Sequence, residues 1–465
     1  MINRLCVIIV CLLAGCSLAP AYQRPAAPVA ASYPPNGPDA AGIAAADTGW
    51  IEYFGADPRL RQLIALALEH NRDLRSAALR IEEARAQYHI QRADRLPNLN
   101  ASLAASRART PAPASVTGQP YVSDSYSAGL GMPSFELDFF GRVRNLSEAA
   151  LSLYLATAEA RQAAQISLVA AVAQAYYTER AYAEQTALAQ QTLQGRARTF
   201  DLTRQRLEVG ASSRLDWRLS ETLYQSARVA ALTLARQRAQ AENALTLLVG
   251  QPLAAGANPG GMAGDDTIDA MSALPAGLPS DLLVRRPDIR AAELQLQAAN
   301  ANIGAARAAF FPRISLTAAL GSTSSAFSGL FDSGSGTWSY SPQLLLPIFD
   351  AGRNRANLSL AEARNNLAVA AYEKTIQVAF REVADALAAR TYLGDQVNAQ
   401  RAVQDAQAER LSLLQLRFAN GVSSTLDVLD AQRELFSAQQ DLVQARLLRT
   451  NSAIDLYRAL GGGWK

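Results

Sequence analysis

Histidine occurs only twice in 465 residues, at His70 and His89, and neither stands near a cluster of cysteines or carboxylates. That scarcity removes the usual zinc spacings and histidine-centred acid–base arrangements. The chain also lacks a phosphate loop and a nucleophile elbow, so an enzyme is disfavoured. Cysteine is confined to Cys6, Cys11 and Cys16, which leaves the rest of the chain without a disulfide. Lysine is limited to Lys374 and Lys465, and a formal net charge of +3 argues against nucleic acid as a partner. No stretch reaches the roughly eighteen apolar residues of a membrane helix, so any membrane-spanning part has to be a barrel.

Proline is missing between Pro133 and Pro252 and again after Pro347. Glycine interrupts 142–249 only at Gly195 and Gly210, and 353–460 only at Gly394 and Gly421. Such stretches, rich in Ala, Leu, Gln, Arg and Glu, predict long helices. Val369, Tyr372, Ile376, Ala379, Val383, Ala386, Leu393 and Val397 follow the three–four spacing of a coiled-coil seam, interrupted by Arg390. A helix over about 145–208 would be about 95 Å long, too long for a single globular domain.

The chain is written twice. Gly210 and Gly421 lie 211 residues apart, and the same offset relates Gly141-Arg142-Val143-Arg144 to Gly352-Arg353-Asn354-Arg355, and Gly250 to Gly461. Upstream, Asp73-Leu74-Arg75 lies over Asp288-Ile289-Arg290 at an offset of 215. This is an internal duplication. Its clearest mark is Gly-x-Ser-Ser-x-Leu-Asp, at 210–216 and 421–427. Glycine ends a helix cheaply in the left-handed conformation, and Ser213-x-x-Asp216 and Ser424-x-x-Asp427 match capping boxes that start the next one. Each mark is therefore the tip of a helical hairpin.

The segments 98–108, 126–138, 313–322 and 338–349 alternate apolar with small or polar residues around Ser- and Gly-rich loops, the weak period-two signal of barrel strands. Four strands cannot close a barrel, and an unpaired edge in lipid is costly, so several copies must share one.

At the other end, Arg4 precedes the short apolar run LCVIIVCLLAG, the core of a secretory signal. Leu13-Ala14-Gly15-Cys16 resembles the bacterial lipobox, which implies removal of 1–15, a diacylglyceryl group and an N-acyl group on Cys16, and no other cofactor. Ser17 rather than Asp implies onward sorting to the outer membrane. Residues 16–56, rich in Pro and Ala, predict an extended tether.

RRPDIRAAE at 285–293, FPRISL at 311–316, PIFDAGRNRAN at 347–357 and NGVSSTLDVLDAQ at 420–432, together with the double repeat, resemble the TolC-like outer membrane factors, lipoprotein branch, over essentially the whole chain after the signal. The resemblance implies a mixed α+β membrane protein of Gram-negative bacteria. Four strands per protomer would join a trimeric twelve-stranded transmembrane barrel, continued by an α-helical coiled-coil tunnel in the periplasm. It implies a homotrimer with a periplasmic adaptor, an inner-membrane pump and outer-membrane lipid as partners, exporting small toxic compounds or drugs. The expected layout is repeat 1 at 57–250 with a β-hairpin at 97–139, a linker at 251–280, repeat 2 at 281–461 with a β-hairpin at 312–349, and a tail at 462–465. A lipid-anchored coiled-coil scaffold without a pore is the alternative.

Candidate residues follow. The family's gate motif falls on Asp427 and Asp430; Asp427 is also explained as a cap, whereas Asp430 replaces Leu219 of the first repeat and lies one turn further on the same face. A trimer would then gather six carboxylates at a narrow end. Phe418 takes a gate position by resemblance and a seam position by spacing. The adaptor-docking candidates are Gly210, Ser212, Ser213, Gly421, Ser423 and Ser424, which would otherwise be solvated turn residues. Arg142, Arg144, Arg353 and Arg355 open helices, where cations oppose the macrodipole. They are expected at the barrel–helix junction, against headgroups or the periplasmic rim, or else in surface salt bridges.

Overall fold

The structure, a computed structural model, describes residues 17–30, 33, 47–253, 271 and 279–463. Cys16, the signal segment and most of the predicted linker lie outside the described residues. The elements run α1 (Trp50–Tyr53), α2 (Pro58–His70), α3 (Arg72–Ala93), β1 (Asn100–Thr110), β2 (Tyr121–Leu137), α4 (Arg142–Glu208) and α5 (Arg214–Val249). They continue with α6 (Pro279–Arg285), α7 (Pro287–Ala308), β3 (Arg313–Ser324), β4 (Gly336–Leu345), α8 (Arg353–Ala419) and α9 (Thr425–Ala459).

The duplication is kept at the level of single contacts. Helices α3 and α7 are both 22 residues long, and α4 and α8 both 67, each pair starting at the sequence offset already noted. At the head of α3, Asn71 caps the Leu74 amide and donates to the Leu248 carbonyl at 2.8 Å. The equivalent Arg286 donates to the Ala459 carbonyl at 2.9 Å, and Leu248 and Ala459 are themselves repeat partners. Different side chains thus satisfy the same C-terminal carbonyl of a long helix. Behind it, Gly250 and Gly461 both adopt positive φ, at 80° and 82°. A Cβ on Gly250 would strike the His70 carbonyl oxygen, so only glycine fits there.

The sheet has the order β1-β2-β3-β4, with every pair antiparallel. β1 and β4 each keep one unpaired edge. Between Met132 and Phe135 the β2–β3 register slips by a bulge, which accommodates Pro133 within a strand; Thr317 donates to the freed Pro133 carbonyl at 2.8 Å. The strands differ from expectation at their ends. β2 begins five residues before the predicted 126, and β4 stops at Leu345 because Pro347 has no donor to continue the ladder.

The chain divides into two compact units. The first holds the sheet with residues 80–158, 291–372 and the segment before 27; the second holds 27–79, 159–290 and 373–465. The second unit buries Leu60, Leu63, Ile64 and Ala67 of α2 together with Leu245, Val249, Ile454 and Leu456. Each fully buried leucine or isoleucine contributes about 2 kcal/mol. Tyr53 stacks on Tyr457 with ring centroids 3.9 Å apart, and the Tyr457 hydroxyl donates to the Thr48 carbonyl at 2.6 Å. The predicted seam is real: Tyr372, Ile376, Ala379, Val383, Ala386 and Val397 are buried, while Val369, Arg390 and Leu393 are half-buried. Burial lowers the Arg390 pKa from its ordinary value.

Of the predicted tether 16–56, residues 17–30, 33 and 47–56 are described: Trp50–Tyr53 forms α1, and the segment 17–24 lies extended as a strap on α7. Ser17 donates to Asn145 Oδ1 at 2.9 Å, Asn300 donates to the Pro20 carbonyl at 2.8 Å, and Arg24 grips Glu293 with two bonds of 2.8 and 2.7 Å. The approach is close because position 304 is glycine: a Cβ there would meet the Ala19 nitrogen at 2.7 Å.

Candidate functional site

Three places matter: the sheet, the hairpin tips and the start of the long helices. On the sheet, the strand register sorts every side chain onto one of two faces. Ala101, Leu103 and Ala105 of β1 share a face with Tyr126, Ala128, Leu130 and Met132 of β2. Across the next pairs the same face carries Phe135, Leu137, Ile314, Leu316, Ala318, Leu320, Trp338, Tyr340 and Leu344. The opposite face is Ser102, Ser127, Gly129, Ser315, Thr317, Gly321, Ser339 and Ser341. Much of this apolar face is open: Leu103 is 72% and Trp338 82% exposed, and Leu130, Leu320, Tyr340 and Leu344 are also exposed. From Tyr126 to Leu137 the strand climbs about 36 Å, or about 28 Å across a slab at a tilt near 40°, matching the apolar band of an outer-membrane barrel. One oily and one hydroxyl-rich face separate lipid from water.

At the tips, Gly210 and Gly421 take φ of 77° and 73°. Their amides donate to the Leu207 and Phe418 carbonyls at 3.0 Å, while Ala211 and Val422 reach back to Arg206 and Arg417. These are paired Schellman stops. Both capping boxes then form: Asp216 N–H donates to Ser213 Oγ at 3.0 Å and Asp427 N–H to Ser424 Oγ at 3.2 Å, each carboxylate returning to the serine amide. The Ser424 hydroxyl and amide hold the Asp427 carboxyl below the usual range.

Ser213 and Ser424 are exposed, Ser212 and Ser423 half-buried. Beside them stand four residues that motif reasoning passed over: Val209 and Leu215 at the first tip, Val422 and Leu426 at the second, all more than half exposed. The repeated mark itself contained the signal, since its Leu recurs at 215 and 426.

Asp430 is not a bare carboxylate. Arg410 of α8 approaches it at 3.2 Å and Arg433 at 2.6 Å. Phe418 is half-buried and its backbone belongs to the helix stop. Arg410, Leu413, Leu416, Arg417 and Asp427 line an open groove beside the second tip.

The four junction arginines divide two and two. Arg142 donates to both oxygens of Glu136 at 2.8 and 2.7 Å, and Arg313 shares that carboxylate at 2.6 Å. Arg144 pairs with Glu148 at 2.8 Å. Arg353 and Arg355 are exposed and form no ion pair among the described residues, because Pro347 and Ser359 stand where the first repeat has Glu136 and Glu148.

Among the described residues no helix is long and apolar enough to cross a membrane, and no cluster of His, Cys, Asp or Glu could hold a metal ion.

Known proteins share this arrangement. The family model for outer membrane efflux proteins matches residues 63–251 and 278–462, one segment per repeat. The toluene efflux pump outer membrane protein TtgC of Pseudomonas putida is 49% identical over 460 residues, covering 97% of this chain and 94% of that protein. Outer membrane protein OprJ of Pseudomonas aeruginosa is 49% identical over 452 residues, with the same coverage. The open state of the Neisseria gonorrhoeae MtrE outer membrane channel superposes with a TM-score of 0.86 at 44% identity, covering 97% of this chain and 99% of that one. The four-stranded sheet, the twin long helical hairpins and these likenesses have one reading: this chain belongs to the outer membrane efflux protein family, channels of the Gram-negative outer membrane and not enzymes.

Proposed function

We propose that three copies of this chain close their sheets into one twelve-stranded barrel, continued in the periplasm by a helical tunnel. Through that conduit an inner-membrane pump, bridged by a periplasmic adaptor, expels small toxic compounds or drugs. The observation that carries this reading is the sheet: four strands, two open edges and an uncovered apolar face. In lipid each orphaned edge group costs several kcal/mol, and edge-to-edge pairing of identical copies removes that cost.

A second feature supports it. Besides its buried seam, α8 presents Leu360, Leu367, Val378, Tyr392 and Val403 as exposed residues at intervals of 7, 11, 14 and 11 positions. These are near-whole numbers of helical turns, so the residues form a second apolar stripe suited to a neighbouring copy.

In this reading the tips carrying Ser212, Ser213, Ser423 and Ser424 receive the adaptor, with Val209, Leu215, Val422 and Leu426 supplying apolar contact. Asp427, Asp430 and Phe418 form the periplasmic gate. The Arg410 and Arg433 guanidiniums temper the mutual repulsion of Asp430 carboxylates gathered round an axis. Acyl chains on Cys16 anchor the strap, and Arg353 and Arg355 face headgroups at the inner rim. TtgC, whose name specifies toluene, supports an apolar cargo.

Purified protein in planar bilayers tests the reading. A detergent-stable trimer with discrete conductance steps is expected. A monomer that remains water-soluble once its acyl chains are removed, and leaves bilayers silent, supports the poreless scaffold instead.

A further inference from the structure

β1 outruns the apolar band. Its odd positions lie on the lipid-suited face, and after Ala101, Leu103 and Ala105 that face continues with Arg107 and Arg109. Their cross-strand partners are Asp124 and Val122, the next two rows beyond Tyr126. Tyr126 makes an edge contact with Phe327 of the β3–β4 loop, centroids 5.7 Å apart, as an interfacial aromatic does at the boundary of the hydrocarbon. Two and four residues further along a strand tilted near 40°, the guanidiniums stand about 5 and 10 Å above that boundary.

Both are open to solvent. Arg107 keeps 76% of its side chain exposed despite a 3.4 Å pairing with Asp124, and Arg109 forms no ion pair among the described residues. Loop 111–120 brings no charge of either sign, so Asp124 is the one carboxylate facing the pair across the strands. Two arginines at i and i+2 on one strand face are about 7 Å apart, a spacing that lets both forks reach a phosphate. Below them the oily surface of Leu103, Leu130, Leu320 and Trp338 has the character to receive fatty acyl chains.

We propose that Arg107 and Arg109 form a binding site for the phosphate groups of the phosphorylated glycolipid in the outer leaflet, with its acyl chains lying on the apolar face beneath. This rests on the reading above: with the helical tunnel in the periplasm, the β1–β2 turn at the opposite ends of the strands points outward. Charge-assisted guanidinium–phosphate bonds supply headgroup selectivity, and apolar burial supplies depth.

The test uses the full-length protein in detergent, incubated with lipopolysaccharide or with lipopolysaccharide stripped of its phosphates, and weighed for bound lipid by native mass spectrometry. Wild type should retain the phosphorylated form about tenfold better than the stripped form. Arg107→Gln/Arg109→Gln should abolish that preference, and Arg109→Gln alone, which breaks no ion pair, should reduce it severalfold. Equal retention of both lipids by wild type, or an unchanged preference in the double variant, overturns the proposal. Conductance is recorded on the same samples: conducting trimers with no lipid preference sink only this site, whereas silent bilayers sink the channel reading as well.

Discussion

Arg410, near the end of one long helix, reaches across the hairpin to Asp430 on the next at 3.2 Å. Arg433, one turn along the same helix, completes the grip at 2.6 Å. Each partly exposed pair is worth about half a kcal/mol, enough to bias the proposed gate without locking it. Arg410→Gln should raise single-channel conductance. Asp430→Asn, which removes both pairs, should raise it further. If repulsion between carboxylates dominated instead, Asp430→Asn would tighten the channel and lower its conductance.

Acid should loosen the second tip. Asp427 has its pKa lowered first by the Ser424 hydroxyl and then by the Ser424 amide. A carboxylate depressed on folding stabilises fully above its unfolded pKa of about 3.9 and loses that contribution as pH falls through the lower folded value. Hydrogen exchange at residues 424–429 should therefore accelerate below about pH 4, beyond the intrinsic trend. Ser424→Ala should move that onset to higher pH.

The head of α7 offers a sharper stability test. Arg286 donates to both oxygens of Asp288, to Glu382 at 2.9 Å and to the Ala459 carbonyl, with its side chain only 9% exposed. Arg286→Ala would leave a helix-end carbonyl without its donor and the half-buried Glu382 with only its longer 3.7 Å pairing to Arg458, at a cost of about 2 kcal/mol. Lys cannot reproduce the planar fork, so Arg286→Lys should recover less than half of the loss in melting temperature.

Undocking the strap should need only a single substitution at Gly304 or Arg24. Gly304→Val would intrude on Ala19, and Arg24→Ala would leave Glu293 at 9% exposure without its guanidinium. The second change should cost about 1 kcal/mol, discounted because Arg24 is half exposed. Limited chymotrypsin digestion should cut after Tyr22 in either variant and spare wild type.

Legibility followed the range of the interactions. Helical hairpins and their tips were readable because Gly210, Ser213 and Asp216 act within seven residues, and the twin at 421–427 repeats them. Helix α4 begins three residues before the estimate of 145, since the turn at Gly141 already admits helix. The strap was unreadable, because its partners Asn145, Glu293 and Gly304 are more than a hundred residues distant and a Pro- and Ala-rich stretch has no period. The fates of Arg142 and Arg353 also diverged despite identical local motifs. One meets Glu136, and the other faces a proline at the matching place.

Composition and period alone settled that the chain is two copies of a strand-hairpin and helix-hairpin unit, since breakers, caps and alternation act locally and are written in order. Only tertiary structure decided which strand face is oily, which arginines are neutralised and where the segment after Cys16 lies. Those outcomes depend on register and on side chains brought together from distant positions, where a shift of one residue along a strand exchanges lipid for water.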